Sequence, residues 1–280
     1  MIIKTAIYNA SLELKKKKIN SFLLDSEILM SKVLNKKRDY VILNLEKDLN
    51  QKNLLFFKHL INERAKGKPI AYLTGKKYFW KYEFNVNENV LIPRPDTELI
   101  VEQILKIYKN KKNSRILEIG VGSGCVFLSV LKEKDGFIGT GIDISSGCLK
   151  VCKSNIDKLK ISNKIKLFKS DIDNFSYGKY DLIISNPPYI KKTDFKYLER
   201  DIINYEPKQA LDGGLDGLSE IRKVIKKSSE LIKTNGKLIL EVAFDHKFKV
   251  KSLLKEKGFY INKILKDLSN NDRCIISTKI

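Results

Sequence analysis

RILEIGVGSG, residues 115–124, joins a short apolar segment to a glycine-rich turn. A short run of branched apolar residues of this kind predicts a buried strand. The glycines that follow allow a tight turn and a close approach of the backbone to a ligand. The apolar residues 126–131 come directly afterwards and predict a helix. This order of strand, glycine turn and helix indicates the first unit of a parallel α/β sheet.

The same alternation continues to the end of the chain. Further strands are predicted at residues 137–143, 164–168, 180–185 and 237–242, with two closing strands near residues 260–266 and 273–279. Helices are predicted between them, at residues 146–160, 218–232 and 250–257. Strands that alternate with helices predict an α/β fold with a doubly wound, mostly parallel, Rossmann-like sheet and helices on both faces.

The chain before the first of these strands has a different pattern of residues. Gly and Pro are absent before Gly67, and apolar residues recur at helical spacing, which predicts a small helical bundle. Aromatic and β-branched residues then alternate with polar ones, which indicates a hairpin. We therefore expect an N-terminal helical domain at residues 1–75, a β-hairpin linker at residues 76–92 and the α/β domain at residues 93–280.

The composition bears on partners and compartment. The chain has 54 Lys and Arg residues against 33 Asp and Glu residues, a formal net charge of +21, but only seven of the 54 are Arg. Because Arg is the better reader of bases and the Lys residues are scattered, codon bias explains the excess better than a nucleic-acid site. The four Cys residues form no C-x-x-C pair, and no apolar run is long enough for a signal peptide or a membrane span. We expect a soluble cytoplasmic protein without a metal site.

A cofactor site is predicted at the glycine turn. Glu118 precedes the turn, and Asp143 ends the next strand, where a carboxylate can accept hydrogen bonds from ribose hydroxyls. The Glu118 carboxylate repels a pyrophosphate but suits the cationic amine of S-adenosylmethionine, so we expect this cofactor. A further adenosine contact is expected at the end of the third strand. The residues predicted to bind the cofactor are Glu118, Gly120, Val121, Gly122, Ser123, Gly124, Asp143, Asp171, Ile172 and Asn186.

A catalytic site is predicted at Asn186-Pro187-Pro188-Tyr189, directly after the fourth strand. An amide or aryl amine nitrogen is a poor nucleophile, because its lone pair is delocalised. The Asn186 side-chain oxygen and the Pro187 carbonyl can accept bonds from both of its hydrogens and so favour methyl transfer by positioning and electrostatics. We expect Asn186, Pro187 and Tyr189 to be catalytic and all four residues to bind substrate, with Tyr189 packed against the flat group. The alternative is a proline-rich loop that only ends a strand.

The same four residues resemble the motif of methyltransferases that act on DNA adenine, RNA guanine or protein glutamine. Three other segments narrow this resemblance: GKPIAYLTG at residues 67–75, LIPRPDTE at residues 91–98 and ALDGGLDGL at residues 210–218. Together they resemble the PrmC/HemK family of peptide chain release factor N5-glutamine methyltransferases. The resemblance implies a class I S-adenosylmethionine-dependent methyltransferase fold. It also implies methylation of the side-chain amide nitrogen (N5) of the glutamine in the Gly-Gly-Gln motif of class I release factors.

The resemblance also implies roles for particular residues. Residues 120–124, Asp143 and Asn186 would contact the cofactor, with a further contact near Ile172, and residues 186–189 would bind the glutamine. Residues 241–246 depart from the usual Glu-Ile-Gly segment of the family. The implied partner is a class I release factor as a protein substrate. From the order of the domains, we expect residues 1–75 to bind the body of this partner. We expect a monomer without a stable nucleic-acid or membrane partner.

Several alternatives remain open at this point. A nucleic-acid amino-methyltransferase would use the same motif and is favoured by the positive charge, but no insertion large enough for a DNA-recognition domain is present. An inactive binding protein is a third possibility, against which the intact motifs argue. Either Asp96 or Thr97 is expected to cap the helix that follows it. Arg94 is expected either to pair with Asp96 or to line the substrate pocket.

Overall fold

The computed structural model describes all 280 residues, and the chain divides into two compact units. Unit 1 consists of Met1–Lys76 and Glu199–Tyr205, and unit 2 of Lys77–Leu198 and Glu206–Ile280. The expected assignment of residues 93–280 to one domain differs from this division, because Glu199–Tyr205 groups with unit 1. Within that unit the Tyr205 hydroxyl donates to the Lys66 carbonyl oxygen at 3.4 Å.

Eleven α-helices and nine strands make up the chain. The helices are α1 (Ile3–Lys16), α2 (Phe22–Leu34), α3 (Arg38–Leu43), α4 (Gln51–Ala65), α5 (Ile70–Thr74), α6 (Glu98–Ile107), α7 (Cys125–Glu133), α8 (Ser146–Leu159), α9 (Arg200–Tyr205), α10 (Ser219–Leu231) and α11 (Lys247–Glu256). The strands are β1 (Lys76–Phe79), β2 (Tyr82–Asn85), β3 (Ser114–Ile119), β4 (Phe137–Asp143), β5 (Ile165–Lys169), β6 (Tyr180–Ser185), β7 (Ile232–Glu241), β8 (Phe259–Lys266) and β9 (Asp272–Lys279). No helix combines the length and apolar character needed to cross a membrane.

Unit 1 is the helical bundle that the apolar spacing predicts. Helix α1 buries Ile3, Ile7 and Leu14 on one stripe, as residues three and four positions apart on a helix lie on the same face. The bundle also contains a buried ion pair, in which Arg64 on α4 donates to Asp25 on α2 at 2.7 Å. Because leaving either charge unpaired in the interior is costly, this pair helps to specify how the two helices pack.

Unit 2 contains the predicted sheet. Its strand order is β5-β4-β3-β6-β7-β9-β8, and a separate two-stranded sheet pairs β1 with β2. Strands β3 to β7 pair in parallel, whereas β9 runs antiparallel to both of its neighbours. This arrangement confirms the prediction of a mostly parallel α/β sheet with two closing strands.

The two faces of the sheet carry separate apolar cores. Ile116 on β3 and Ile184 on β6 lie with residues of α6, α7 and α8, whereas Leu117 and Ile183 lie with residues of α10 and α11. Side chains on a strand alternate between faces, so the even-numbered positions of β3, and those of β6 from Leu182 onward, face the core of α6, α7 and α8. Tyr180, which precedes the irregularity in β6, lies with the opposite core. This alternation determines which polar residues meet at the ends of the strands.

Strand β7 starts five residues before its predicted beginning at residue 237. Ile232 pairs with Tyr180, and the pairing is then interrupted until Lys237 pairs with Leu182. Asn235, with a φ of +63°, lies within this irregularity. Asn and Gly side by side are typical of a turn, so the sequence does not indicate that the strand begins before residue 237.

Candidate active site

The order of the strands reverses beside β3, because the chain first forms β4 and β5 on one side of β3 and then forms β6 on the other side. Open α/β sheets bind ligands at the carboxyl ends of the strands at such a point. The glycine turn follows β3 and Asn186 follows β6, so both predicted motifs lie there. The Ser185 hydroxyl donates to the Ile119 carbonyl oxygen at 2.8 Å and ties the two strand ends together.

The glycine turn borders open space. Gly120 and Gly122 have φ values of +75° and +52°, a region that side chains disfavour, and a Cβ on either would meet nothing within 4 Å. A Cβ on Gly124 would instead approach the Cys152 Sγ atom to 2.8 Å. The first two glycines therefore leave room for a ligand beside the backbone, and the third permits close packing of α7 on α8.

Asp143 connects the glycine turn to the loop after β4. Its carboxylate accepts from the Gly122 N–H at 2.9 Å and from the Ser145 N–H at 2.9 Å, one on each oxygen. A carboxylate has about four lone-pair positions, so each oxygen can accept a further hydrogen bond. The arrangement is compatible with ribose binding, and the predicted contact between Asp143 and ribose stays a prediction.

Glu118 lies at the end of β3 with a carboxylate that is only partly satisfied. The side chain is 4 % exposed, and its Oε2 atom is buried without a hydrogen-bond partner. Burial raises the pKa of Glu118 well above its ordinary value, and the charge of Asp143 adds to this, whereas the Phe127 N–H opposes it. A buried acceptor without a donor is costly, so this site suits a cation. The cationic amine of S-adenosylmethionine fits that requirement.

We expect the Glu118→Gln substitution to stabilise the ligand-free protein and to weaken cofactor binding. The raised pKa means that the folded state holds the Glu118 proton more tightly than the unfolded state, so this residue lowers stability as the pH rises above its ordinary pKa. The melting temperature of the variant should therefore exceed that of the wild type at about pH 8, and the difference should shrink towards about pH 5.

Cofactor affinity of the same variant should fall roughly 10- to 150-fold, the range for a lost hydrogen bond to a charged group. Calorimetric titration gives the affinity, and thermal melts at several pH values give the stability. A variant that melts below the wild type at every pH, with unchanged affinity, would show that Glu118 has a structural role and does not bind the amine.

The end of β5 carries the other predicted cofactor residues. The Asp171 carboxylate accepts from the Asp173 N–H at 2.9 Å and starts a short 3-10 turn at Ile172–Asn174. The Ser170 N–H donates to the Asp143 carbonyl oxygen at 3.1 Å, so this segment lies beside the loop after β4. Ile172 is buried with the core residues of the α10 and α11 face. The adenosine contact at Asp171 and Ile172 stays a prediction.

Asn186 belongs to a hydrogen-bond network that the sequence did not predict. Its Nδ2 atom donates to the Thr97 Oγ1 atom at 3.5 Å, and that hydroxyl donates to the Glu241 Oε2 atom at 2.6 Å. The Tyr189 hydroxyl donates to the Glu241 Oε1 atom at 3.1 Å. Because the amide nitrogen of Asn186 is used in this way, its oxygen is left to accept a bond from another group.

Glu241 is the centre of this network, because its two oxygens accept from Thr97 and Tyr189. Burial raises the pKa of Glu241, whereas the Thr97 hydroxyl, the Arg273 guanidinium and the Tyr189 hydroxyl oppose the increase. Burial also raises the pKa of the Tyr189 hydroxyl, as does the charge of Glu241, so Tyr189 remains protonated and acts as a donor. The ring of Tyr189 packs partly against the α10 and α11 core, which leaves only part of it for the predicted contact with a substrate.

The expected capping of α6 is wrong. Helix α6 begins after Thr97 without a side-chain cap, and the 3-10 turn at Pro95–Thr97 has none either. The Thr97 hydroxyl donates instead to Glu241, 144 positions away in the sequence. A residue of the type that usually caps a helix is therefore used for a long-range contact, and this could not be anticipated from local sequence.

Of the two alternatives for Arg94, the pairing with Asp96 is wrong. The Arg94 guanidinium pairs with the Glu206 carboxylate, which is buried and also accepts from the Ile92 N–H at 3.1 Å. Two donors satisfy a carboxylate that would be costly to bury alone. Arg94 and Glu206 therefore hold the segment before α6 in place.

The segment at residues 210–218 holds the Asn-Pro-Pro-Tyr loop. The Ile190 N–H donates to the Leu211 carbonyl oxygen at 3.0 Å, and the Gly213 N–H donates back to the Ile190 carbonyl oxygen at 2.9 Å. A Cβ on Gly213 would come within 2.7 Å of the Tyr189 Cα atom, so only glycine fits at this position. This close backbone contact limits the movement of the loop.

Two other groups of side chains complete the region. His246 is buried next to Gly217, and burial lowers its pKa, so it packs as a neutral ring. All four cysteines are free thiols. No group of three or more His, Cys, Asp or Glu side chains is arranged to hold a metal ion.

Comparison with known proteins places both units among methyltransferases. Residues 5–75 match the PrmC N-terminal domain, and residues 95–252 match the methyltransferase small domain. The chain is 34% identical over 282 residues to the release factor glutamine methyltransferase of Clostridium botulinum, a match that covers 100% of both chains. It is 32% identical to that of Caulobacter vibrioides, which covers 91% of this chain and 89% of the relative.

Two further comparisons concern longer relatives and solved structures. The chain is 33% identical to the bifunctional methyltransferase of Rickettsia conorii, with 99% of this chain aligned to 58% of the relative, so it spans little more than half of that protein. The crystal structure of the ribosomal protein L11 methylase from Lactobacillus delbrueckii subsp. bulgaricus superimposes with a TM-score of 0.52. That match has 15% sequence identity and covers 73% of this chain and 91% of the other, and it shows a shared fold.

Proposed function

The chain belongs to the family of release factor glutamine methyltransferases, and we propose that it methylates a glutamine side chain. The methyl group comes from S-adenosylmethionine, and the acceptor is the amide nitrogen (N5) of the glutamine in the Gly-Gly-Gln motif of class I peptide chain release factors. The observation that carries this proposal is the orientation of Asn186. Its amide nitrogen is bound by Thr97, so its oxygen can accept from a substrate amide beside the glycine turn.

The chemistry follows from that oxygen and from the carbonyl oxygen of Pro187. S-adenosylmethionine supplies an electrophilic methyl group when it is bound. The two acceptors bond the two hydrogens of the substrate amide nitrogen and favour the pyramidal, more positive form in which its lone pair can attack. The nitrogen forms one C–N bond while the bond between the methyl carbon and the sulfonium sulfur breaks, which leaves S-adenosylhomocysteine, and the nitrogen then releases one hydrogen to solvent as a proton. Because the nitrogen becomes acidic only after this bond forms, no general base is needed beforehand.

A role for unit 1 forms part of the proposal. Its residues 5–75 match the PrmC N-terminal domain, and Tyr8 and Leu12 on α1 are 61% and 41% exposed. Residues four positions apart on a helix lie on the same face, so these two form an apolar surface. This surface would contact the body of the release factor. We also propose that the protein is a cytoplasmic monomer without a stable nucleic-acid or membrane partner. The release-factor substrate and the free thiols support the cytoplasmic location.

The proposal is tested by following labelled methyl groups from S-adenosylmethionine to four acceptors. These are a class I release factor, the same factor with the Gln of its motif changed to Ala, a short peptide that contains the motif, and total RNA or DNA. We expect label on the intact factor and none on its Gln→Ala variant. Label on nucleic acid alone would identify an amino-methyltransferase of adenine or guanine instead.

The peptide tests the role of unit 1. If unit 1 binds the body of the release factor, the peptide should be methylated with a higher KM than the whole factor at a similar kcat. Changing both Tyr8 and Leu12 to Ser should then raise the KM for the whole factor and leave that for the peptide unchanged. Equal effects on both acceptors would contradict the proposed docking role.

A further inference from the structure

The side-chain amide of Asn186 has two nearly isosteric orientations. A half-turn about its last torsion exchanges the oxygen and the nitrogen, and only the oxygen can accept from the two hydrogens of a substrate amide. If the orientation were free, the NH2 group of Asn186 would face the substrate NH2 group for part of the time. The reaction therefore requires that another part of the protein select one orientation.

The residues around Asn186 provide that selection. Glu241 as a carboxylate has no hydrogen to donate, so the short 2.6 Å contact commits the Thr97 hydroxyl hydrogen to Glu241. The Thr97 oxygen can then only accept from Asn186, and the amide nitrogen is the only part of that side chain that donates. The direction of each hydrogen bond is thus determined by the carboxylate.

The strands place these groups together. Ser185 on β6 pairs with Leu240 on β7, so Asn186 and Glu241 lie at adjacent strand ends. Thr97 meets them from the start of α6 and is 3 % exposed. Its hydroxyl leaves α6 without a side-chain cap, although Thr is a residue that stabilises helix starts. Such a local loss of helix stabilisation is typical of a functional position.

Resting on the proposed methyl transfer, we propose that Thr97 and Glu241 are positioning residues that turn the oxygen of Asn186 towards the substrate amide. Neither residue contacts the reacting atoms in this account. Glu241 acts through the hydroxyl of Thr97, and Thr97 acts through the nitrogen of Asn186. The same carboxylate holds Tyr189 through its second oxygen, so both ends of the Asn-Pro-Pro-Tyr loop depend on it.

Thr97→Val and Thr97→Ser form the first test. Valine has the shape of threonine without the hydroxyl, so Asn186 loses the acceptor for its nitrogen, whereas serine retains that acceptor. We expect the Val variant to lower kcat about 10- to 100-fold, as a misplaced catalytic group does, and the Ser variant to recover most of the loss. Cofactor affinity should change little, whereas the melting temperature of the Val variant should fall, because the buried Glu241 carboxylate loses a donor. Thr140→Val, at a buried position on β4, is the matched control and should leave kcat unchanged.

Glu241→Gln tests the direction of the hydrogen bonds. Arg273 faces the Tyr189 hydroxyl, which therefore keeps its own hydrogen directed at residue 241. The Gln oxygen then faces Tyr189 and its NH2 group faces Thr97, which frees the Thr97 hydrogen for Asn186 and reverses the orientation of its amide. We expect a loss of kcat similar to that of Thr97→Val. The double variant should lose no more than the stronger single variant, because both changes act on the same chain of bonds.

A second readout keeps this inference separate from the proposed function. The side-chain NH2 signals of Asn186 can be identified in a nitrogen–proton NMR spectrum by their disappearance in Asn186→Asp. They should shift in Thr97→Val and Glu241→Gln and stay in place in Thr97→Ser. Unchanged signals together with unchanged kcat would overturn the inference, whereas absence of methyl transfer in the wild type would overturn only the proposed function.

Discussion

Replacing Asn186 with Ala should lower the kcat for glutamine methylation about 10²- to 10³-fold, the effect of removing one group that stabilises charge in a transition state. The substrate amide would lose one of its two acceptors at the moment when its nitrogen becomes positive. Cofactor affinity should change little, because Glu118, the glycine turn and Asp143 remain. The measurement is steady-state kinetics with a release factor, together with calorimetric titration of S-adenosylmethionine.

A matched control separates this effect from a general loss of structure. Asn110 is exposed in the turn after α6, and its change to Ala should leave both kcat and cofactor affinity unchanged. If Asn186→Ala lost cofactor affinity in the same proportion as kcat, Asn186 would build the cofactor pocket and would not act on the amide.

Asp143→Ala should weaken S-adenosylmethionine binding by about 1.5–3 kcal/mol, or roughly 10- to 150-fold, if the carboxylate binds the ribose as predicted. The structure adds a second expected consequence. The Gly122 and Ser145 N–H groups both donate to Asp143, so their loss of a partner should also lower the melting temperature. Calorimetric titration and thermal melting measure the two effects independently.

Asp143→Asn distinguishes the two consequences. The amide retains one oxygen that can accept a backbone N–H, so the melting temperature should fall less than in the Ala variant. The Asn side chain has only one acceptor oxygen, so it cannot replace both oxygens of the carboxylate, and its affinity for the cofactor should remain low. A normal affinity in both variants would remove Asp143 from the ribose site and leave it a structural link between the two loops.

Local sequence was sufficient to predict the fold and the edge of the sheet at which the two motifs lie. The glycine turn and the Asn-Pro-Pro-Tyr motif each follow a strand, and a parallel sheet brings the carboxyl ends of its strands to one edge. The alternation of side chains also explains why Glu118 lies on the same face as Ile184 beside it. Prediction of the fold therefore required only the order of the elements and their apolar periodicity.

The contacts that orient the site could not be predicted in this way. The bond between Thr97 and Glu241 joins residues 144 positions apart, and the pair of Arg94 and Glu206 joins residues 112 positions apart. No local pattern distinguishes a Thr that caps a helix from one that donates across the fold, because both uses need the same hydroxyl. A useful signal was present in Glu241, a carboxylate at the carboxyl end of a buried strand next to that of Asn186.

A crystal structure with S-adenosylhomocysteine and a peptide that contains the Gly-Gly-Gln motif would show whether Asn186 and Pro187 bind the glutamine amide. We predict that the Asn186 Oδ1 atom and the Pro187 carbonyl oxygen both lie within about 3.2 Å of the glutamine amide nitrogen, as hydrogen-bond geometry requires. That nitrogen should face the sulfur of the cofactor product. A structure in which the Asn186 side chain turns away from the sulfur, with no space for a flat amide between them, would contradict the account.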